Sequence, residues 1–354
     1  MRELDIYTVL TKDSIRSAIK KMDENGTGIV VCMNEDNIIV GILTDGDFRR
    51  AILKGVSLEE NILKILNRNF YYLQKDYTEE DVIATFKLTK GKPIPILDKG
   101  KLIKVITEQE FFNIRPQEEV RDELKDLSAV IMAGGKGTRL DPLTKIIPKA
   151  LIPIGDKPII ELIIEKYRKY GVKNFYISVN HKSRMIKIYF EDSDQRNNIN
   201  YVDEEKPLGT AGSLKFLEKI IKTPLFVSNC DVLILADYYE IYKFHLSGNY
   251  SMTIVGSMQH HKIPYGVCEI EKGGDLKEFK EKPEFDFLVN TGMYVLNPEV
   301  LKVIPHSQYF DFNELINQLM LSNKRIGVFP VSEKSWIDVG QWDEYKKSLG
   351  FLGE

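Results

Sequence analysis

Residues 129–149 read Ala-Val-Ile-Met-Ala-Gly-Gly-Lys-Gly-Thr-Arg-Leu-Asp-Pro-Leu-Thr-Lys-Ile-Ile-Pro-Lys. The opening run to Ala133 is apolar and short, the pattern of a buried strand. It leads directly into Gly134, Gly135 and Gly137, with Lys136 and Thr138 among them. Glycines let backbone N–H groups close on phosphate oxygens, and Arg139 and Lys149 add positive charge beside them. The spacing is not that of a Walker loop, which needs Gly-Lys-Ser/Thr after four intervening residues, nor of the dinucleotide fingerprint GxGxxG. A turn whose glycines serve geometry alone is the competing reading, and the placed cations count against it.

Outward from this loop, residues 127–354 alternate strands and helices. Strands are expected at 128–132, 174–179, 199–202 and 225–228, and helices at 158–170, 183–190 and 211–219. That order predicts an α/β domain with a Rossmann-like, mostly parallel sheet joined by right-handed crossovers. Ligands in such sheets lie beyond the carboxyl ends of the strands, where Gly134 and Asp231 both fall. Residues 250–295, rich in strand formers and turns, are expected to form a smaller sheet over the pocket.

Residues 1–112 carry one pattern twice, in repeats of about 1–60 and 61–112, an α+β tandem. The first copy has a helix with Ile15, Ala18, Ile19 and Met22 at helical spacing, then strands at 29–33 and 38–43 and a helix at 48–53. The second has a helix at 79–88, strands near 94–97 and 102–106, then Thr107-Glu108-Gln109-Glu110. Residues 113–126, charged and interrupted by proline, read as a linker.

A chain of 354 residues with 43% apolar and 29% charged content fits a two-domain globular protein. The net charge of −3 argues against a protein that coats nucleic acid. Three scattered cysteines, Cys32, Cys230 and Cys268, form neither a disulfide framework nor a metal cluster, which points to the reducing cytoplasm. No run approaches the length of a membrane span.

The 134–149 segment resembles the signature of the sugar-1-phosphate nucleotidylyltransferases, GGxGTRLxPLT followed by PK. The resemblance implies transfer of a nucleoside monophosphate from an NTP to a sugar 1-phosphate, with Mg²⁺ and release of pyrophosphate. It implies nucleotide contacts at Ala133, Gly134, Gly135, Lys136, Gly137 and Thr138, and catalytic charge at Arg139, Lys149 and Lys282. Asp231 and Asp338, the latter in a W-x-D-x-G segment, would hold the metal; their meeting in space follows from the resemblance and not from spacing. Glu281-Lys282-Pro283 and Asn290-Thr291-Gly292 resemble the family's sugar-contacting segments. Gly209, Thr210 and Gly212, within Pro-Leu-Gly-Thr-Ala-Gly-Ser-Leu, resemble the base-binding loop of hexose-1-phosphate guanylyltransferases and favour GTP. His260 and His261 read as surface residues.

The N-terminal repeats resemble a CBS-domain pair, with Gly41-Ile42-Leu43-Thr44-Asp45-Gly46-Asp47 matching its GxxTxxD motif. Thr44 and Asp47 would then contact an adenosine nucleotide such as AMP or ATP, and the pair would form a homodimer. In the second copy Lys104 and Glu110 replace the motif's glycine and aspartate. Asp45 and Asp47 also suit ordinary helix caps, so a structural or dimerising role stays open. The domain order is similar to that of the CBS-bearing guanylyltransferases of bacterial legionaminic acid synthesis, implying glucosamine 1-phosphate as acceptor. Mannose- or heptose-1-phosphate guanylyl transfer, and a nucleotide-sensing regulator without catalysis, are the alternatives.

Overall fold

The computed structural model describes residues 2–89, 91–108, 111, 122–191, 198–340, 342, 345 and 346. Glu110 and most of the expected linker, 113–121, lie outside the described residues. The chain divides into two compact units, 1–118 and 119–354.

In the first unit the helix Ile15–Asn25 buries Ile15, Ala18, Ile19 and Met22, the face set by their spacing. The Ser14 hydroxyl accepts from Ser17 N at its start, and Gly26, at φ 68°, ends it in the left-handed region that glycine enters freely. Strands β1 (Thr8–Leu10), β2 (Ile29–Met33) and β3 (Ile39–Thr44) form one three-stranded sheet. Strands β4 (Leu73–Gln74), β5 (Ile94–Asp98) and β6 (Lys101–Ile106) form its counterpart. Ile29, Val31 and Ile42 of the first sheet pack with Val105 of the second, so the two repeats share an apolar interface.

The second unit is built on a seven-stranded sheet. Its strands include β7 (Ser128–Met132), β10 (Asn174–Val179), β11 (Ile199–Asp203) and β12 (Leu225–Asn229). A two-residue ribbon of β8 (Pro153–Ile154) and β9 (Lys157–Pro158) lies apart from it. Strands β13 (Val232–Ile234) and β19 (Trp336–Asp338) form a second ribbon. The long strands β14 (Met252–Lys262) and β17 (Glu284–Leu296), with β18 (Ile326–Val331), complete the main sheet. Its order is β11-β10-β7-β12-β17-β14-β18. The pairs β11–β10, β10–β7, β7–β12 and β14–β18 are parallel; β17 runs antiparallel to both its neighbours.

All of β7 is buried. Ala129 and Ile131 enter one apolar cluster with Ile163, Tyr167 and Phe226, while Val130 and Met132 enter another with Leu214, Val227 and Leu315. Alternate residues thus face opposite layers, as a strand covered on both sides requires. Leu124 is buried in the first of these clusters, so the chain has joined the second unit before the expected start at 127.

Two expectations are corrected. Residues 250–295 do not build a separate small sheet: β14 and β17 belong to the main sheet and continue beyond it as an arm. A two-stranded hairpin of β15 (Val267–Ile270) and β16 (Leu276–Lys280) sits between them in sequence. The helix expected at 211–219 is a 3₁₀ stretch, Gly212–Leu217, with i→i+3 bonds such as Leu214 N to Ala211 O at 3.1 Å. Among the described residues no helix is long and apolar enough to cross a membrane.

Candidate active site

The loop after β7 uses its glycines in three ways. A side chain at Gly134 would come within 2.9 Å of Glu204 Oε1, so absence of a Cβ admits that carboxylate. Gly135 has open space on its side-chain side, which leaves room for an anion against the backbone. Gly137 lies at φ 69°, where a Cβ would meet Lys149 Cβ and Thr144 Cγ2 at 3.0 Å. The loop therefore folds down onto Lys149. A short turn, Thr138–Leu140, follows and leaves Thr138 and Arg139 exposed. Ala133 is buried, and its N–H donates to Ser178 O at 2.9 Å.

Asp231 and Asp338 meet through the β13–β19 ribbon. Val232 pairs with Asp338 across it, and Val339 N donates to Asp231 O at 3.0 Å. The Lys149 ammonium donates to Asp231 Oδ2, with both side chains almost wholly buried. Asp338 Oδ1 accepts from Gly340 N at 2.7 Å. Burial, then the negative charge of Asp231, pushes the Asp338 carboxyl above its ordinary value of 3.8, opposed by the Gly340 N–H, Lys149 and Arg139. A Cβ at Gly340 would lie 2.6 Å from Asp231 Oδ2, 2.7 Å from Asp338 Oδ1 and 2.9 Å from Lys149 Nζ. Only glycine leaves that junction open.

Two adjacent carboxylates beside a phosphate-sized opening are a donor set that suits a hard divalent cation, which takes its other ligands from water and phosphate. Among the described residues no cluster of three or more His, Cys, Asp or Glu is placed to hold a metal. Cys230, next to Asp231, is pushed up to about 12, by burial first and then by the Asp231 charge. It stays a thiol at neutral pH and is no nucleophile.

The loop at 208–212 is clamped by a distant segment. Gly209, at φ 78°, passes so close to Phe310 O that a Cβ would stand 2.7 Å away; at Gly212 a Cβ would stand 2.9 Å from Gln308 O. Thr210 N and Oγ1 both donate to Asp311 Oδ1, at 2.8 and 3.0 Å. Glu204, at the end of β11, is buried and accepts from Ser178 Oγ and from Leu208 N. These elements enclose a cavity of about 360 Å³ lined by Gly134, Gly135, Gly137, Thr138, Arg139, Lys149, Glu204, 207–210, Asn229, Asp231, Tyr309 and Asp311, with Met132 and Cys230 beneath.

The cavity thus brings together about half of the residues singled out from sequence, among them Arg139, Lys149 and Asp231. Lys136, Ala133 and Gly212 do not line it, and Asp338 stands behind Asp231. Glu281 and Lys282 lie apart on the arm, their side chains 61% and 59% exposed. Asn290 Nδ2 donates to Tyr294 OH, and the buried Thr291 hydroxyl donates to Val255 O at 2.9 Å, so neither is turned to the cavity. His260 is not a surface residue: its Nδ1 lies 2.6 Å from Asp286 Oδ1 in a part-buried pair. Glu204, Tyr309 and Asp311 were not singled out. The acidic pair Glu204-Glu205 at a strand end before Pro207-Leu208-Gly209 was a readable signal; nothing near Tyr309 in sequence points to the cavity.

In the first unit Thr44 and Asp45 line a cleft of about 230 Å³ with Thr27, Gly28, Lys92 and others. Asp47 does not line it. Its carboxylate accepts from Thr44 N at 2.9 Å, Thr44 Oγ1 at 2.7 Å and Arg50 Nη2 at 2.5 Å, closing a capping box at the helix Asp45–Leu53.

Residues 128–352 match the family model described as nucleotidyl transferase, and residues 1–54 match that of the CBS domain. A mannose-1-phosphate guanyltransferase of Debaryomyces hansenii is 34% identical over 227 residues, 61% of each chain. The chain therefore spans about three fifths of the length of that relative. A D-glycero-alpha-D-manno-heptose 1-phosphate guanylyltransferase of Campylobacter jejuni is 31% identical, over 62% of this chain and 97% of its own. The crystal structure of HddC from Yersinia pseudotuberculosis complexed with GMP-PN superposes with a TM-score of 0.51 at 25% identity, covering 64% of this chain and 99% of that one.

Proposed function

The chain belongs to the nucleotidyl transferase family, and we propose that it transfers a guanylyl group from GTP to a sugar 1-phosphate. A phosphate oxygen of the sugar phosphate attacks the α-phosphorus of GTP, the bond to the bridging β-phosphate oxygen breaks, and pyrophosphate leaves. The observation that carries the reading is the meeting of Lys149, Asp231 and Asp338 beside the open backbone at Gly135.

In this reading Asp231 and Asp338 would hold Mg²⁺, which when bound supplies Lewis-acid charge at the attacked phosphate. The loop at 134–138 orients the triphosphate, and Arg139 and Lys149 offset charge on the departing pyrophosphate. The attacking oxygen is already anionic, so no side chain has to take its proton. Guanine presents two adjacent donors, N1–H and N2–H, on its pairing edge. The Glu204 carboxylate, an acceptor on the cavity wall with lone pairs beyond those used by Ser178 and Leu208, complements them. Relatives named as guanylyltransferases support the same base.

For the acceptor, the CBS-first domain order favours glucosamine 1-phosphate, with Glu281 and Lys282 of the arm meeting its hydroxyls and phosphate. The relatives' names favour mannose or heptose 1-phosphate as the second reading. Adenosine nucleotide in the Thr44–Asp45 cleft would be the regulatory ligand, in a cytoplasmic homodimer.

The test is pyrophosphate release with Mg²⁺, crossing GTP, ATP, CTP, UTP and dTTP with glucosamine, mannose, heptose and glucose 1-phosphates. GTP with one acceptor is expected to exceed every other pair by about tenfold or more, about 1.4 kcal/mol of discrimination. Asp231→Ala is expected to be silent. Turnover of the Ala variant at the wild-type rate would remove Asp231 from the reaction, and silence of the wild type across the grid would overturn the reading.

A further inference from the structure

Tyr309 lines the cavity and is 62% exposed as a residue. Exposed tyrosines are common, and exposure alone says little. What distinguishes this one is how it is held. Its hydroxyl donates to Asp311 Oδ2 at 2.7 Å, while Asp311 Oδ1 accepts both donors of Thr210. Thr210 Oγ1 accepts in turn from Phe312 N at 3.0 Å. Phe310 N donates to Leu208 O at 2.9 Å, and Ala211 N to Phe310 O at 3.0 Å. The ring is thus anchored at its tip and its backbone, and its faces carry no such bonds.

The ring also lies at a particular end of the cavity. Cations and carboxylates, Arg139, Lys149 and Asp231, gather where β7 and β12 end. Glu204 and Leu208 follow β11, three strand positions from β12 in the sheet order β11-β10-β7-β12. The Glu204 carboxylate itself reaches back toward the glycine loop, 2.9 Å from where a Cβ on Gly134 would stand, so the division runs between the cations and Leu208. Tyr309 is tied to the second end, which carries Pro207 and Leu208 and no cation among the lining residues. A triphosphate at the charged end directs its base toward this one.

We propose that the Tyr309 ring is the stacking wall for the nucleobase, held flat to it by the Asp311–Thr210 linkage. The inference rests on the reading of the cavity as a nucleoside triphosphate site. A π-face accepts any base, so Tyr309 supplies affinity and leaves discrimination among bases to polar groups such as Glu204. Base–aromatic stacking is worth about 1–3 kcal/mol by alanine substitution.

The test uses the full chain and three proteins: wild type, Tyr309→Phe and Tyr309→Ala. Tyr309→Ala is expected to raise KM for GTP about tenfold, with kcat and KM for the sugar phosphate within about twofold. Tyr309→Phe keeps the ring and stays within about threefold of wild type. Direct titration with GTP and with inorganic tripolyphosphate, which lacks a base, completes the test: the Ala variant loses affinity for GTP and keeps it for tripolyphosphate. Equal loss for both ligands would mean that Tyr309 acts through the loop and not on the base, and the proposal falls. Wild-type affinity for GTP in Tyr309→Ala also overturns it while leaving guanylyl transfer standing. A wild-type protein that binds no nucleoside triphosphate overturns both.

Discussion

Asp338 is a carboxylate whose surroundings resist its charge. Burial and Asp231 raise its pKa in the folded protein above 3.8, so its ionisation costs the fold stability as pH rises through that raised value. Asp338→Asn removes that cost. In metal-free protein at about pH 7.5 the variant is expected to melt above wild type. The difference shrinks as pH is lowered toward the raised pKa, because wild-type Asp338 then takes up a proton itself. The same variant is expected to lose turnover. A lower melting temperature for the Asn variant at neutral pH would show that the Gly340 N–H, rather than charge repulsion, dominates at Asp338. At this scale the glycine loop was legible, because Gly134, Gly135 and Gly137 fall within four residues and their needs are local. Asp47 stayed open to two readings for the same local reason: a carboxylate three residues after Thr44 suits a cap as well as a ligand, and the structure shows its capping bonds.

Among the elements, the strands of the parallel half could be read within about a residue, since β7, β10 and β12 are short and largely buried apolar runs: β7 and β10 fall at the expected positions. The hairpin β15–β16 could not, because all but one of its strand residues are exposed and no burial pattern marks them. A two-stranded hairpin of this kind adds little stability in water. Replacing residues 268–279 by a short glycine turn is therefore expected to leave the melting temperature within about 2 °C. If the adjoining Glu281 and Lys282 serve the sugar phosphate, the same change raises KM for that substrate several-fold and spares KM for GTP. A large fall in melting temperature would mean that the hairpin is covered by something the single chain does not supply. Contacts such as Thr210 with Asp311 and Asp231 with Asp338 join segments about a hundred residues apart. Periodicity and spacing carry no information about such pairings; sheet topology creates them.

The molecule as a whole consists of two units, each with its own buried apolar clusters. Calorimetry is expected to resolve two transitions. GTP with Mg²⁺ at about a hundred times Kd adds about 2.7 kcal/mol to the unit that binds it. The transition of residues 119–354 should then rise by about 5–10 °C while that of 1–118 stays in place. A rise of the first transition alone would relocate the GTP site to the repeats.

The arm has a mechanical side. Strands β14 and β17 each run without a break from the main sheet, where they lie between β12 and β18, into the arm, so the arm is a cantilever rooted in the sheet rather than a tethered flap. Their ladder slips register between Ile254 and Gly256, and that irregularity is a built-in fulcrum. From Gly256 to Lys262 the lever is about 20 Å long at ~3.3 Å per residue. A flexure of about 10° at the fulcrum sweeps the tip through roughly 3.5 Å, and it acts on the pairs Gly256–Pro330 and Ser257–Val331 that hold the root of the arm to β18.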